Sequence, residues 1–172
     1  MTEPAVVDYG AGVVQSDTAL QQPSRHLRRA DLEVRWRWSA VQCAVVGEVC
    51  VGQDGEGLPG HVHGGLLAAL CDEAMGWACW MHGYIAPGTA TRFEYRAAVR
   101  AGEQLALRAW VATVDGRRLA TCAEICRAER LAVLASGDYL AICPAELSAF
   151  AGWPGPERFD RAWRQKWPAR GG

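Results

Sequence analysis

The chain has 172 residues, 50% hydrophobic and 22% charged, which suffices for one domain with a real core and is too short for two comfortable ones. Eighteen Lys and Arg against 19 Asp and Glu leave a formal net charge of −1, so no global field draws nucleic acid or anionic lipid. No stretch reaches the roughly 18 uncharged apolar residues of a membrane span, and the N-terminus lacks a basic patch followed by an apolar run, so the expected location is cytoplasmic, off the membrane.

Residues 1–30 mix Gly, Gln, Ser and Pro without a clear period and end in a small basic cluster, Arg25, His26, Arg28 and Arg29; they are read as an N-terminal arm. LEVRWRW (32–38) alternates apolar and charged residues, the period-2 signature of a half-buried strand, and CAVVGEVCVG (43–52) follows as a second strand. QDGEGLPG (53–60) is dense in turn formers. From His63 an apolar run continues for about four turns to HGY and the breaker pair Pro87–Gly88, which predicts one central helix from Leu66 to Met81.

Beyond it come TRFEY, then strands over 103–114, 117–128 and 131–143, joined by VDGRR and RAER, both short enough for hairpins. The expected order is two strands, a helix and four antiparallel strands, in a domain spanning 31–144. The tail, 145–172, holds a short helix candidate, FDRAWRQKW, whose Phe159, Trp163 and Trp167 share one face. Seven cysteines, at 43, 50, 71, 79, 122, 126 and 143, include no CxxC pair and are read as reduced, mostly buried small hydrophobes, with Cys122 and Cys126 expected in the core.

Asp72 and Glu73 interrupt the apolar helix. Burying an ionised carboxylate without a partner costs several kcal/mol, so these acids must face a polar cavity, a cation or another chain. Where the helix begins, at His63, Gly64 and Gly65, the first backbone N–H groups have no internal acceptor and the helix dipole favours negative charge. Such a terminus can hold the oxygen of a carbonyl that becomes an oxyanion. Anion hole and base together suggest acyl chemistry. Yet Asp72 lies eight residues beyond Gly64, about 12 Å along a helix, so one carbonyl carbon cannot touch both, and the two halves are expected to come from different subunits.

HGG at 63–65, a carboxylate nine residues after the His, and the following TATRFEYRAAVRAGEQL resemble the hot-dog-fold acyl-CoA thioesterases over residues 32 to 143. The lead-in LPGHVHGG and the tripeptide Asp72-Glu73-Ala74 are similar to the branch that includes phenylacetate-pathway thioesterases. The resemblance implies an α+β hot-dog fold, an antiparallel sheet wrapped around one long helix, in a homodimer or dimer of dimers with paired sites at the interface. It further implies hydrolysis of an acyl-CoA or acyl-carrier-protein thioester without organic cofactor or metal.

By the same resemblance Asp72 is the base or nucleophile, the Gly64 amide polarises the thioester carbonyl, His63 orients the loop or binds near the thioester, and Gly65 permits close approach. Glu73 and Trp77, on the same helix, are candidate substrate-binding residues. Many relatives place Asn six residues before the His of HGG, where this chain has Gly57; Glu56 beside it is the candidate polar substitute near the attacking water. Many also place Ser or Thr at the start of the strand after the helix, a role open to Thr89 or Thr91. Arg25, Arg28, Arg29, Arg35, Arg37, Arg92, Arg96 and Arg100 are candidates for the phosphates of CoA or a carrier-bound pantetheine. The competing readings are another reaction on a CoA- or carrier-bound intermediate, such as dehydration, decarboxylation or cyclisation, and a non-catalytic acyl-binding protein.

Overall fold

The computed structural model of the protein describes residues 17–20, 24 and 27–142; the candidate tail helix, Cys143, Arg25 and His26 lie outside the described residues. Among the described residues, nine strands and one α-helix follow in the order β1 (Thr18–Ala19), β2 (Leu32–Ser39), β3 (Ala44–Val51), β4 (Glu56–Leu58), β5 (His61–Val62), α1 (Gly64–Met81), β6 (Gly88–Tyr95), β7 (Gln104–Asp115), β8 (Arg118–Arg127) and β9 (Arg130–Leu140). Seven strands form one antiparallel sheet in the order β1-β2-β3-β7-β8-β9-β6, and β4 and β5 form a separate small hairpin. The predicted order of two long strands, helix and four strands is therefore present, with β1, β4 and β5 added. All are too short to leave a periodic signal.

Alternation sets which residues face the helix. Val34, Trp36 and Trp38 of β2, Leu105, Leu107, Ala109 and Val111 of β7, and Leu119, Ala123 and Ile125 of β8 are buried, whereas their sequence neighbours stand on the other side of the sheet. Against them α1 buries Leu67, Leu70, Cys71, Ala74, Met75, Ala78 and Cys79, spaced three and four apart as one stripe. Trp38 is fully buried at the centre of this core, where truncation to Ala costs about 3–5 kcal/mol.

The parity of β8 overturns one expectation. Because Thr121, Ala123 and Ile125 point inward, Cys122 and Cys126 fall on the outer face, half-buried, and do not contribute to the core. A shared face is implied by even spacing, but which face is decided by register.

Two hairpins finish the sheet. Gly116, with φ 57°, opens the two-residue turn between the paired Asp115 and Arg118. The turn between Arg127 and Arg130 places both Ala128 (φ 42°) and Glu129 (φ 64°) in the left-handed region, a conformation that costs a residue with a Cβ about 1–2 kcal/mol.

The helix is apolar on nearly every side in sequence, but among the described residues the sheet covers it on one side only. The flank bearing Asp72, Glu73, Gly76, Trp77 and Trp80 is not buried by the sheet. At the end of the sheet, β6 pairs with β9 alone, and Gly88 to Arg92 are exposed.

Candidate active site

His63 is delivered by the β4–β5 hairpin. Val62 N–H donates to Val99 O at 2.9 Å and His63 N–H to Gly55 O at 2.8 Å, which fixes the chain as it enters the helix. Gly55 has no room for a side chain, since a Cβ would lie 2.3 Å from Val51 Cγ1. His63 itself is the N-cap of α1, extended at φ −63° and ψ 128°, and its Nδ1 accepts from Gly65 N–H at 2.9 Å. An accepting Nδ1 leaves the ring proton on Nε2. The Gly65 amide is thereby occupied, and Gly64 N–H, at the first helical position, has no acceptor within the helix.

Gly64 is covered by Tyr95 from the end of β6. The tyrosine hydroxyl donates to Gly64 O at 2.9 Å, and a Cβ on Gly64 would sit 3.2 Å from the ring. Gly57 presses on His63 from the other side, where a Cβ would lie 2.9 Å from His63 Cδ2 and 3.0 Å from its Cα. Gly57, Leu58, His63, Gly64, Leu67, Tyr95 and Arg96 line a cavity of about 660 Å³.

Asp72 opens into a second cavity, also about 660 Å³, together with Glu73, Trp77, Trp80 and Tyr139. Its Oδ1 accepts from the Tyr139 hydroxyl at 2.7 Å, and the same hydroxyl lies 3.2 Å from the Asp72 carbonyl oxygen. Tyr139 comes from the end of β9, opposite Gly88, and is 4% exposed. Burial first, and then the bond to the Asp72 carboxylate, hold its phenol well above the ordinary tyrosine range, so it remains a proton donor throughout neutral pH. Arg92 and Arg96, the surface partners that would make Asp72 an ordinary helix acid, both pair with Glu94. Burial, with Asp72 adding to it, pushes the adjacent Cys71 thiol up to about 12, which removes it as a nucleophile.

Within one chain the two halves are not brought together: His63 and Gly64 line one cavity, Asp72 the other. Of the other residues singled out in the sequence, Glu73 Oε1 accepts from both the Ser24 N–H (2.9 Å) and hydroxyl (2.8 Å). Trp77 meets Trp80 edge to face, with ring centroids 6.3 Å apart. Glu56 pairs with Val62 across the hairpin and is exposed, while its neighbour Gly57 is the residue that meets His63. Thr89 donates its hydroxyl to Asp138 O at 3.0 Å, and Thr91 stands exposed opposite Gly137. From β6 it is Gly88 that approaches the acid, where a Cβ would be 3.7 Å from Asp72 Oδ1. His61 Nδ1 lies 3.0 Å from Pro59 O, and among the described residues no three His, Cys, Asp or Glu gather at a spacing that holds a metal.

Residues 59–133 match the family model of the thioesterase superfamily, and that span contains HGG, Asp72, β6, β7, β8 and the first residues of β9. That segment is similar to the thioesterase superfamily, and the antiparallel sheet packed on one long helix is a hot-dog fold. Solved structures agree on the fold. A crystallised thioesterase superfamily protein is 29% identical with a TM-score of 0.60; the match covers 62% of this chain, which spans about half (53%) of that protein. The phenylacetic acid degradation protein PaaI of Thermus thermophilus, as a point mutant, is 26% identical with a TM-score of 0.57, over 64% of this chain and 93% of its own. A hypothetical thioesterase from Streptococcus pneumoniae, crystallised with coenzyme A, is 19% identical with a TM-score of 0.57, over 64% and 85% of the two chains. No curated protein sequence matches.

In this hot-dog domain two contacts join residues far apart in sequence, Tyr139 with Asp72 and Tyr95 with Gly64. Tyr139 was a strand residue with no assigned role, although its place on the inward parity of LASGDYL, together with a phenol that needs a partner when buried, is a usable signal. Tyr95 gave no such signal, because its contact with Gly64 depends on where β6 ends relative to the helix start.

Proposed function

We propose that the protein hydrolyses acyl thioesters of CoA as a homodimer, with each site assembled from the helix start of one subunit and Asp72 of the other. The single observation that carries this reading is the Tyr139–Asp72 bond: a buried donor fixes one carboxylate oxygen, while the acid faces a cavity and, among the described residues, no cation pairs with it. Three further features support it. The Gly64 N–H is the donor left over at the helix start once His63 has taken the Gly65 amide. The uncovered apolar flank of α1 and the exposed β6 edge are surfaces that a second copy would cover. A fold relative was crystallised with coenzyme A.

In the proposed reaction the thioester carbonyl oxygen accepts from Gly64 N–H. Asp72 of the facing subunit takes a proton from water as the water oxygen bonds to the carbonyl carbon. The tetrahedral intermediate then expels the thiolate by breaking its C–S bond, leaving the free acid. Tyr139 keeps the carboxylate in the rotamer that faces the water. His63 holds the loop and the helix cap, and Arg96, beside Gly64, is placed to meet a phosphate.

Release of free thiol from a panel of acyl-CoA esters tests the reading. Turnover with at least one ester, reduced by a factor of about a hundred or more in Asp72→Asn, is expected. Equal rates in the parent and Asp72→Asn would refute the assignment of the acid, and absence of release with every ester would favour another reaction on a bound intermediate or simple acyl binding.

A further inference from the structure

The cavity beside Asp72 has a wall that lies outside the superfamily match. Pro87, Gly88 and residues of α1 that line it fall within the match, whereas Tyr139 and the N-terminal Thr18, Ala19 and Leu20 do not. The two edges of the curled sheet, β1 and β6, thus flank the uncovered side of the helix.

Two anchors bracket Leu20. Before it, Asp17 accepts from Arg37 Nη1 at 2.7 Å and from Ala40 N–H at 2.9 Å, and Leu20 N–H itself donates to Trp36 O at 3.3 Å. After it, Ser24 delivers its amide and its hydroxyl to one oxygen of Glu73, 49 residues away in sequence. A carboxylate in the middle of a helix gains nothing from the helix dipole, so two charge-assisted bonds from the N-terminal segment are what Glu73 contributes there. The residue next to the proposed base is therefore the latch for the wall of its cavity.

We propose, resting on the thioesterase reading above, that Leu20 and the Ser24–Glu73 latch set acyl specificity by limiting the cavity to a compact, uncharged apolar acyl or aryl group. The size limit comes from Leu20, which lines the cavity together with Trp77 and Trp80. The charge limit comes from Asp72 and Glu73: a free carboxylate on the acyl chain would enter a space whose described lining within the chain already holds two carboxylates and neither Lys nor Arg.

The test is the ratio of kcat/KM for decanoyl-CoA to that for butyryl-CoA, with succinyl-CoA as the charged comparison, in the full-length parent, Leu20→Ala, Glu73→Ala and Glu73→Gln. The parent is expected to favour butyryl over both others. Leu20→Ala and Glu73→Ala should each raise the decanoyl-to-butyryl ratio about tenfold or more, and Glu73→Gln, which keeps an acceptor for Ser24, should stay nearer the parent. Ratios within about twofold of the parent in both alanine variants would overturn the proposal. The two alanine variants alter separate contacts, so a folding defect in one leaves the other to decide. If no ester is hydrolysed, calorimetric Kd values for the decyl and butyl thioethers of CoA replace the rates: a Kd ratio that moves in the variants upholds the wall while the hydrolytic reading falls, and one that does not move overturns the wall.

Discussion

The Tyr139 hydroxyl donates to Asp72 Oδ1 across 2.7 Å, tying the last strand of the sheet to an acid on the uncovered flank of the helix. Tyr139→Phe removes the donor and keeps the packed ring. A hydrogen bond to a charged group contributes about 1.5–3 kcal/mol, so thiol release should fall about tenfold to a hundredfold. Melting should change little, because water can solvate the exposed carboxylate in place of the phenol. A variant with parent kcat would mean that Asp72 needs no fixed rotamer.

His63 has a structural task separable from any chemical one, since it caps α1 by accepting from Gly65 N–H. His63→Ala should lower stability by about 1 kcal/mol, and His63→Asn, a good N-cap residue, should recover most of that in a urea titration. If the imidazole also serves the thioester, both variants will be slow. Parent-like rates in His63→Asn would confine the residue to capping.

Gly57 departs from the Asn common among thioesterase relatives, and the packing supplies the reason. A side chain there meets His63 Cα at 3.0 Å, so backbone has to move. Gly57→Asn should therefore destabilise by about 1–3 kcal/mol and slow turnover rather than improve it. A faster enzyme with parent melting would show that the hairpin yields easily.

Shared sites predict complementation. Neither Asp72→Asn nor Gly64→Val has an intact site alone, the latter because its side chain runs into Tyr95. Co-refolded at equal amounts, half of the dimers are mixed and each mixed dimer regains one site of two, giving about a quarter of parent activity. No recovery, with dimers shown by sedimentation, would place the whole site within one chain.

Buried thiols fix the alkaline limit. Cys71 and Cys79 are each pushed from 9.0 up to about 12, chiefly by burial. Above pH 9 the unfolded chain gives up protons that the folded chain keeps, so their contribution is complete below about pH 9 and is lost as pH rises toward 12. The unfolding free energy from urea titration should fall between pH 8 and about 10.5, by on the order of 2 kcal/mol per thiol, and Cys79→Ala should flatten that slope. An unchanged slope would mean the thiols reach solvent in the native state.

Periodicity was enough for β2, β3, the helix and the four later strands, because each buries a regular face and period 2 or 3.6 survives in the residues themselves. HGG and an acid nine residues on, in a helix apolar all round, stand out as the candidate site for the same reason: glycine and charge inside an apolar run are costly without a use. Register, long-range pairing and face were different. Cys122 moved to the outer surface on strand parity, Tyr139 reached Asp72 only because β9 ends over the helix flank, and Ser24 found Glu73 by a crossing that no local pattern encodes. Local spacing is written in the chain, whereas contacts between distant residues exist only after the sheet has curled around its helix, and that curl is set by the whole core at once.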